Sequence, residues 1–338
     1  MRRLILSILI AMLVIGLAEA GVRSIATGLV EPLEWYTANA RLKISQMDDL
    51  SDSGGASVVF VGTSMARDGI DPHLFIARSS EAKSAYNASL SNGSPRIMAD
   101  WLRHEVVPRL KPDLVVWALE SFTLNDSATT LDDSAATYFA TPRASRDVES
   151  ELETWLDERL YLFRYQQVLR DPVAVWNAIR GVEPSPEVAD LPWQMTSLGR
   201  TDGRDSASID DIDLEAQTER LSRVAFADYS VGGLEYAALE ETIRWLQQEG
   251  IDVVLVTMPV SGAYKALEED GTFPKFMDTL DALSSKYSIP SGSLAGTYED
   301  EAFADALHMN GLGVRRFTSL LATWIDSLAD AGEIGGLR

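Results

Sequence analysis

Two segments near opposite ends of the chain carry residue types that can form a nucleophile and its base. Gly62-Thr63-Ser64 follows a short apolar run, and Asp305-Ala306-Leu307-His308 precedes the last helical pattern. A hydroxyl becomes an effective nucleophile when an imidazole takes its proton and a carboxylate orients that imidazole. We therefore predict Ser64 as nucleophile, His308 as base and Asp305 as its orienting acid. The alternative for Ser64 is a serine that only caps a helix.

The choice of base is narrow because the chain contains 3 histidines. His73 follows Asp71-Pro72 and is typical of a turn, whereas His104 lies in a helical pattern on a solvated face. Asp305 and His308 are three residues apart and can project to the same side of one turn. His308 is thus the predicted base.

Short apolar runs alternate with helical patterns along most of the chain. Strands are predicted at 57–61, 82–87, 113–119 and 251–256, with a short extended piece toward residue 291; helices are predicted at 95–110, 234–250, 274–287 and 312–328. Pro108 predicts that the first of these helices stops a little early. Such alternation indicates an α/β fold with a parallel sheet covered on both faces. Ser64 then lies at the carboxyl end of a strand, where such sheets bind ligands.

The N-terminal residues have the pattern of an export signal. Arg2 and Arg3 precede an apolar run over 4–17, and Ala18-Glu19-Ala20 supplies the small residues that signal peptidase requires. The pattern favours an uncleaved N-terminal membrane helix with the rest of the chain outside the cytoplasm, periplasmic or at the cell surface. Secretion after signal cleavage and a buried N-terminal helix are the alternatives.

Four regions follow from these patterns. Residues 1–30 form the signal-anchor or signal peptide, 31–56 a juxtamembrane helix and linker, 57–125 together with 230–338 the catalytic domain, and 126–229 an inserted helical cap. The cap is assigned because its ends are acidic and rich in serine and threonine, while its middle, 152–180, is rich in aromatic residues. Those aromatic residues indicate a core or a sugar-binding platform.

Composition excludes several classes of function. The formal net charge of −22 argues against nucleic acid as a partner, and the absence of cysteine excludes disulfides and thiolate metal sites. The acidic pairs Asp210-Asp211 and Glu299-Asp300 indicate solvated faces, and no glycine-rich phosphate loop follows a strand. No metal or cofactor is predicted.

Gly62-Thr63-Ser64 and Asp305-x-x-His308, in this order and strand context, resemble the SGNH, or GDSL-like, hydrolase superfamily over about 57–125 and 230–330. The G-x-S-x-G elbow of α/β-hydrolases is absent, since Ala66 follows Ser64 by two residues. The resemblance implies a three-layer α/β/α, flavodoxin-like fold with a central parallel sheet.

The same resemblance implies an oxyanion hole built from three donors. They are the Ser64 N–H, the N–H of Gly93 or of a neighbour in the segment 87–94, and the side-chain amide of Asn125. The sequence departs from the family pattern around Asn125, because the glycine that normally precedes this asparagine is missing and the strand end is farther away.

Within the superfamily, the N-terminal anchor and inserted cap resemble extracytoplasmic proteins related to alginate O-acetylation and teichoic-acid D-alanylation. This resemblance implies a serine esterase or O-acyltransferase that acts on acyl esters, in particular acetyl esters, of a cell-surface polysaccharide or related polymer. It also implies a membrane O-acyltransferase as partner. The alternatives are a catalytically weak scaffold or carbohydrate-binding partner of such an acyltransferase, and a lipid-directed esterase.

Overall fold

The computed structural model describes residues 2–26, 35–140, 159–165, 169, 172–181, 195–268, 271–294 and 298–337. The chain divides into two compact units. One unit comprises Met1–Asn39 and Thr141–Pro192, and the other comprises Ala40–Ala140 and Trp193–Arg338. The second unit contains the sheet and every candidate site residue.

Five parallel strands form the sheet of the second unit. They are β1 (Val58–Val61), β2 (Ala85–Asn87), β3 (Leu114–Leu119), β4 (Asp252–Thr257) and β5 (Ser291–Ser293), in the spatial order β2-β1-β3-β4-β5. The residues of β1 and β3 are all buried, as expected for β-branched runs covered on both faces. The predicted parallel sheet is confirmed, and its strand order is flavodoxin-like.

Helices connect and cover the strands. In chain order they are α1 (Arg2–Ile25), α2 (Trp35–Asp52), α3 (Ser64–Gly69), α4 (Pro72–Arg78), α5 (Pro95–Trp101), α6 (Val107–Leu110), α7 (Thr129–Ala140), α8 (Tyr161–Arg164), α9 (Pro172–Ile179), α10 (Leu214–Leu221), α11 (Leu234–Gln248), α12 (Gly262–Leu267), α13 (Thr272–Tyr287) and α14 (Gly311–Asp330).

The helices of the second unit lie in two layers, one on each side of the sheet. On one face, Phe60 and Val116 share a core with Ala66 of α3, Phe75 of α4 and Phe317 of α14. On the other face, α11 contacts α5, β4 and α13. The unit is therefore a three-layer α/β/α domain, as predicted.

Pro108 does not end the helix before β3. The chain continues from α5 through a π-helical turn, Leu102–Val106, into α6, where Pro108 occupies the first turn. Proline is tolerated there because the first N–H groups of a helix have no partner within the helix. The wider π turn accommodates the change of hydrogen-bonding pattern.

The predicted juxtamembrane helix and linker belong largely to the second unit. Within α2, Ala40, Lys43 and Met47 are buried, and Lys43 donates hydrogen bonds to the carbonyls of Asn87 and Gly199. The predicted linker is a tight turn, since the Gly55 N–H donates to the carbonyl of Leu50 at 2.8 Å. The predicted boundary at 56 is therefore replaced by one near residue 40.

The first unit contains α1, α8 and α9. Glu19 of α1 accepts hydrogen bonds from the N–H groups of Tyr161 and Leu162, each at 2.9 Å, and Val22 packs with Tyr165. Among the residues that the structure describes, no helix is long and apolar enough to cross a membrane.

The predicted cap is also smaller than 126–229. Only 141–192 of this range separates from the second unit, whereas α7, α10 and the segment 195–211 pack with it. Trp155, one of the predicted cap aromatics, lies outside the described residues, and Trp176 is exposed. The return segment, 195–211, consequently contributes to the candidate site.

Gly313→Ala tests how tightly α14 is held against the loop that carries His308. A Cβ at Gly313 would overlap the carbonyl of Ala302 and the side chain of Met309, so we expect a loss of about 1–3 kcal/mol in the free energy of unfolding, measured by urea denaturation. Gly336→Ala is the control, because its Cβ meets no atom within 4 Å. Equal stability of the two variants would contradict this packing.

Candidate active site

Ser64 lies at the first turn after β1, beside the point where the strand order reverses. Thr63 is the N-cap of α3, and its Oγ1 accepts a hydrogen bond from the Met65 N–H at 3.1 Å. Ser64 is therefore the first residue of a short helix that begins directly at the carboxyl edge of the sheet. Open α/β sheets bind their ligands at such a reversal.

The structure brings Ser64, His308 and Asp305 into one hydrogen-bonded line. Nε2 of His308 is 2.9 Å from Oγ of Ser64, and its Nδ1 is 2.9 and 2.8 Å from the two carboxyl oxygens of Asp305. When Nδ1 donates to the carboxylate, Nε2 is left to accept the serine proton. This is the geometry required to activate the Ser64 hydroxyl.

The loop that carries the acid and base is fixed by its own backbone. The Ala304 N–H donates to the His308 carbonyl at 2.8 Å, and Phe303 forms an antiparallel bridge with Met309. Asn310 then caps α14, since its Oδ1 accepts hydrogen bonds from the N–H groups of Leu312 and Gly313. The turn thereby holds His308 before the start of a long buried helix.

Asp305 is held in its charged form. Burial alone would raise its pKa, but the nearby His308 ring, Arg204 and the backbone N–H of His308 outweigh burial and hold the pKa of Asp305 well below its usual range. Its Oδ1 also accepts the N–H groups of Leu307 and His308 at 2.7 and 2.8 Å. The carboxylate is thus charged and fixed in orientation at neutral pH.

A partly buried ionic network contacts Asp305. Arg204 places Nε 3.4 Å from Asp305 and Nη1 2.5 Å from Asp68, and Asp68 also receives Nε and Nη2 of Arg67 at 2.5 and 3.0 Å. Burial opposes ionisation of Asp68, but the adjacent Arg67 and Arg204 guanidinium groups lower its pKa. Arg204 therefore joins the triad carboxylate to a second buried carboxylate.

Sequence reasoning missed this network. Arg67 and Asp68 follow Ser64 by three and four residues, which places both within the next helical turn. This spacing was the sequence feature that could have indicated a charged pair close to Ser64. Arg204 lies in the range assigned to the cap, so nothing in the sequence related it to Asp305. Its segment is fixed by Arg200, whose Nε donates to the Asp68 carbonyl at 2.9 Å.

No hydrogen bond to a described residue is donated by the backbone N–H of Ser64, nor by those of Ser91 and Asn92 in the turn after β2. The predicted donor Gly93 is different, because its N–H donates to the Leu90 carbonyl at 3.1 Å. Asn92 has a φ of 45° in a turn tied to β1 by the Leu90 N–H, which donates to the Gly62 carbonyl at 3.1 Å. Ser91 and Asn92, both neighbours of Gly93, are therefore the candidates for the second oxyanion donor.

Asn125 does not supply the third donor. Its Nδ2 donates to the carbonyls of Ala225 and Ala227, and its Oδ1 accepts the N–H groups of Ser127 and Ser230. The Asn125 side chain is buried, and its hydrogen bonds hold the loop after β3 against the segment before α11. The prediction for Asn125 fails because both ends of the amide are occupied.

The other two histidines lie apart from the triad contacts. Nε2 of His73 is 3.2 Å from Oγ of Ser197, and Nδ1 of His104 is 2.9 Å from the Asp100 carbonyl one turn earlier. Within the described residues, no cluster of three or more His, Asp or Glu side chains is arranged to hold a metal ion.

Comparison with known families gives one match. A family model described as "Protein of unknown function (DUF1574)" matches residues 50–323, most of the catalytic unit. No curated protein gives a significant match.

Solved structures give matches of low similarity. A Bacteroides fragilis protein provisionally named an acylhydrolase has a TM-score of 0.42 and 11% identity, covering 85% of this chain and 97% of its own. A lipase/acylhydrolase from Enterococcus faecalis has a TM-score of 0.38 and 15% identity, covering 83% and 98%. A catalytic mutant of an acetylxylan esterase from Geobacillus stearothermophilus has a TM-score of 0.38 and 11% identity, covering 84% and 97%. With TM-scores this low, the chemistry rests on the contacts described above.

Asn125→Ala tests whether the Asn125 amide stabilises the loop after β3 or donates a hydrogen bond to the oxyanion. Loss of the amide leaves the Ser127 and Ser230 N–H groups and the Ala225 carbonyl without this partner, so we expect the free energy of unfolding to fall by about 1–3 kcal/mol. The turnover of nitrophenyl acetate by the folded protein should change less than about tenfold. A loss of about 100- to 1000-fold, typical of an oxyanion donor, would contradict this interpretation.

Arg204→Gln tests the link between Asp305 and Asp68. We expect kcat to fall about tenfold, roughly 1.4 kcal/mol, with little change in KM, because Arg204 positions the triad carboxylate rather than the substrate. Arg204→Lys should not rescue activity, since a single ammonium cannot reproduce the guanidinium fork. Arg316→Gln, which removes an exposed ion pair with Glu301, is the control. Equal kcat in the Arg204→Gln and Arg316→Gln variants would remove Arg204 from the site.

Proposed function

The chain belongs to the DUF1574 family, and we propose that it is a serine-dependent esterase that uses Ser64 to cleave acyl esters. The observation that carries the proposal is the continuous hydrogen-bonded line from the Ser64 hydroxyl through His308 to Asp305. His308 is placed to accept the proton of the Ser64 hydroxyl, and the Asp305 carboxylate is placed to stabilise the positive charge that His308 then carries.

The geometry supports a two-step acyl transfer. Ser64 Oγ attacks the ester carbonyl carbon while its proton passes to Nε2 of His308, and the resulting oxyanion is stabilised by the N–H group of Ser64 together with that of Ser91 or Asn92. His308 then returns the proton to the departing alcohol, which leaves an acyl group on Ser64. Water, or another hydroxyl, attacks this acyl-enzyme with His308 again as base, and the serine is regenerated.

The finer predictions concern the substrate and the acceptor. The resemblance to SGNH proteins of the cell envelope supports acetyl esters of a cell-surface polysaccharide as substrates. Transfer to a sugar hydroxyl, with a membrane O-acyltransferase as partner, belongs to the same proposal. Release of acetate from acetylated polysaccharides, compared with formation of a new acetyl ester on a sugar acceptor, would distinguish hydrolysis from transfer.

The proposed location is outside the cytoplasm, supported by Arg2, Arg3 and the apolar run that follows them. Protease added outside intact spheroplasts should digest the chain. A chain that stays protected until the cells are lysed would contradict export.

A scaffold or carbohydrate-binding protein is the second candidate. It is favoured by one observation, the occupied amide of Asn125, because an oxyanion hole with fewer donors stabilises the transition state less. A scaffold has no reason to hold a serine against a histidine and a charged carboxylate. Reactivity of the Ser64 hydroxyl therefore separates the two candidates.

Ser64→Ala should abolish both labelling by a serine-directed fluorophosphonate and turnover of nitrophenyl acetate, with a loss of about 10⁴-fold or more. Ser197→Ala is a matched control, since Ser197 also contacts a histidine ring, that of His73, at 3.2 Å. That ring has no carboxylate partner among the described residues, so the control should keep full labelling. A scaffold would show no labelling of the wild-type protein, and labelling that survives in Ser64→Ala would place the nucleophile elsewhere.

A further inference from the structure

A cavity lies at the carboxyl ends of β3 and β4, and its lining includes none of Ser64, Asp305 and His308. Its volume is about 270 Å³. The apolar part of its wall includes Leu119, Val260, Phe273 and Phe276, and two acidic residues, Glu120 and Glu268, also line it. A cavity of about 150 Å³ holds a benzene molecule, so this space fits a ring with a short substituent.

Glu120 has an unsatisfied carboxyl oxygen in this cavity wall. The side chain directly follows β3 and is 2% exposed. Its Oε1 accepts the hydroxyl of Thr63 at 3.1 Å, but its buried Oε2 has no hydrogen-bond partner among the described residues. Because burial of an unpaired polar oxygen is costly, this atom requires a donor that the described residues do not supply.

Glu268 adds a second carboxyl group to the same cavity. It follows α12 and is 7% exposed, whereas Lys265, the cationic residue in the lining, is exposed. The remaining titratable neighbour is Tyr264, whose hydroxyl is 3.1 Å from Oγ of Ser121. Two buried acids therefore face one exposed ammonium group.

Burial raises the pKa of Glu120 to about 8 and that of Glu268 to about 7, with Thr63 and Ser121 lowering them only in part. Both groups thus carry protons through much of the neutral range. A positive charge in the cavity would favour their ionised forms, as an opposite charge at short range does generally.

We propose that this cavity binds a small primary ammonium compound with an apolar body, its ammonium group on the Glu120 and Glu268 carboxylates and its apolar part against Phe273 and Phe276. An anionic ligand would be repelled by the carboxylates of Glu120 and Glu268. A purely apolar ligand would leave Oε2 of Glu120 without a hydrogen-bond donor. An ammonium group provides three N–H donors, and aromatic rings attract cations.

One hydrogen bond connects the cavity wall to the turn that carries Ser64. Glu120 Oε1 accepts the hydroxyl of Thr63, the residue before Ser64. The proposed binding does not depend on catalysis, so it can be measured directly on the full chain whether or not Ser64 is a nucleophile.

Calorimetric titration with cyclohexylmethylamine and its neutral analogue cyclohexylmethanol tests the proposal. The amine should bind at least about tenfold more tightly than the alcohol, since only the amine pairs with the acids. Its affinity should rise between about pH 6 and pH 8.5, because the acids lose their protons over this range while the amine keeps its charge. The alcohol should show no such rise.

Glu120→Gln and Glu268→Gln keep the side-chain shape and remove the acid, so each should weaken amine binding about tenfold or more. Glu249→Gln, which changes an exposed acid after α11, is the matched control and should bind the amine as wild type does. If one cavity variant fails to fold, the other gives the same comparison. Equal affinity for the amine and the alcohol, absence of saturable binding, or unchanged binding in the cavity variants would overturn the proposal.

Discussion

The hydrogen bond between Ser64 and His308 joins residues 244 positions apart, and the candidate site depends on it. It requires that β1 end at the same edge of the sheet as the loop before α14. Parallel strands meet this requirement, because they all direct their carboxyl ends to one edge. The antiparallel bridge between Phe303 and Met309 then turns the imidazole toward that edge. The fold thus places the base before any substrate arrives.

The network behind Asp305 explains why the return segment belongs to the catalytic unit. Arg204 contacts Asp305 and Asp68, and Arg200 donates to the Asp68 carbonyl. Asp68 is buried, and Arg204 and Asp305 are half-buried, so these charges are stable only when their partners are correctly placed. The position of the triad carboxylate is therefore linked to α3, the same helix that begins with the nucleophile.

The sheet and the pairing of Asp305 with His308 could be predicted from the sequence because both depend on local patterns. β-branched runs such as Val58–Val61 define strands, and Asp305-x-x-His308 is contained within one turn. The contribution of Arg204 could not be read in the same way, because it depends on the approach of two segments that are far apart in the sequence. Asn125 was predicted as an oxyanion donor from its position in a motif, but a side-chain amide at that position can equally well bind backbone groups of the loop.

The contacts of Lys43 determine how far the chain can be shortened from its N-terminus without disturbing the candidate site. Its buried ammonium group closes the space between α2, the end of β2 and the return segment by binding the carbonyls of Asn87 and Gly199. Asn87 in turn holds the carbonyl end of α3 through its Nδ2, at 2.9 Å from the Ala66 and Ile70 carbonyls. A fragment cut at residue 57 would therefore leave two buried carbonyl groups without their donor and loosen the helix that bears the serine. Recombinant work on the domain has to retain α2.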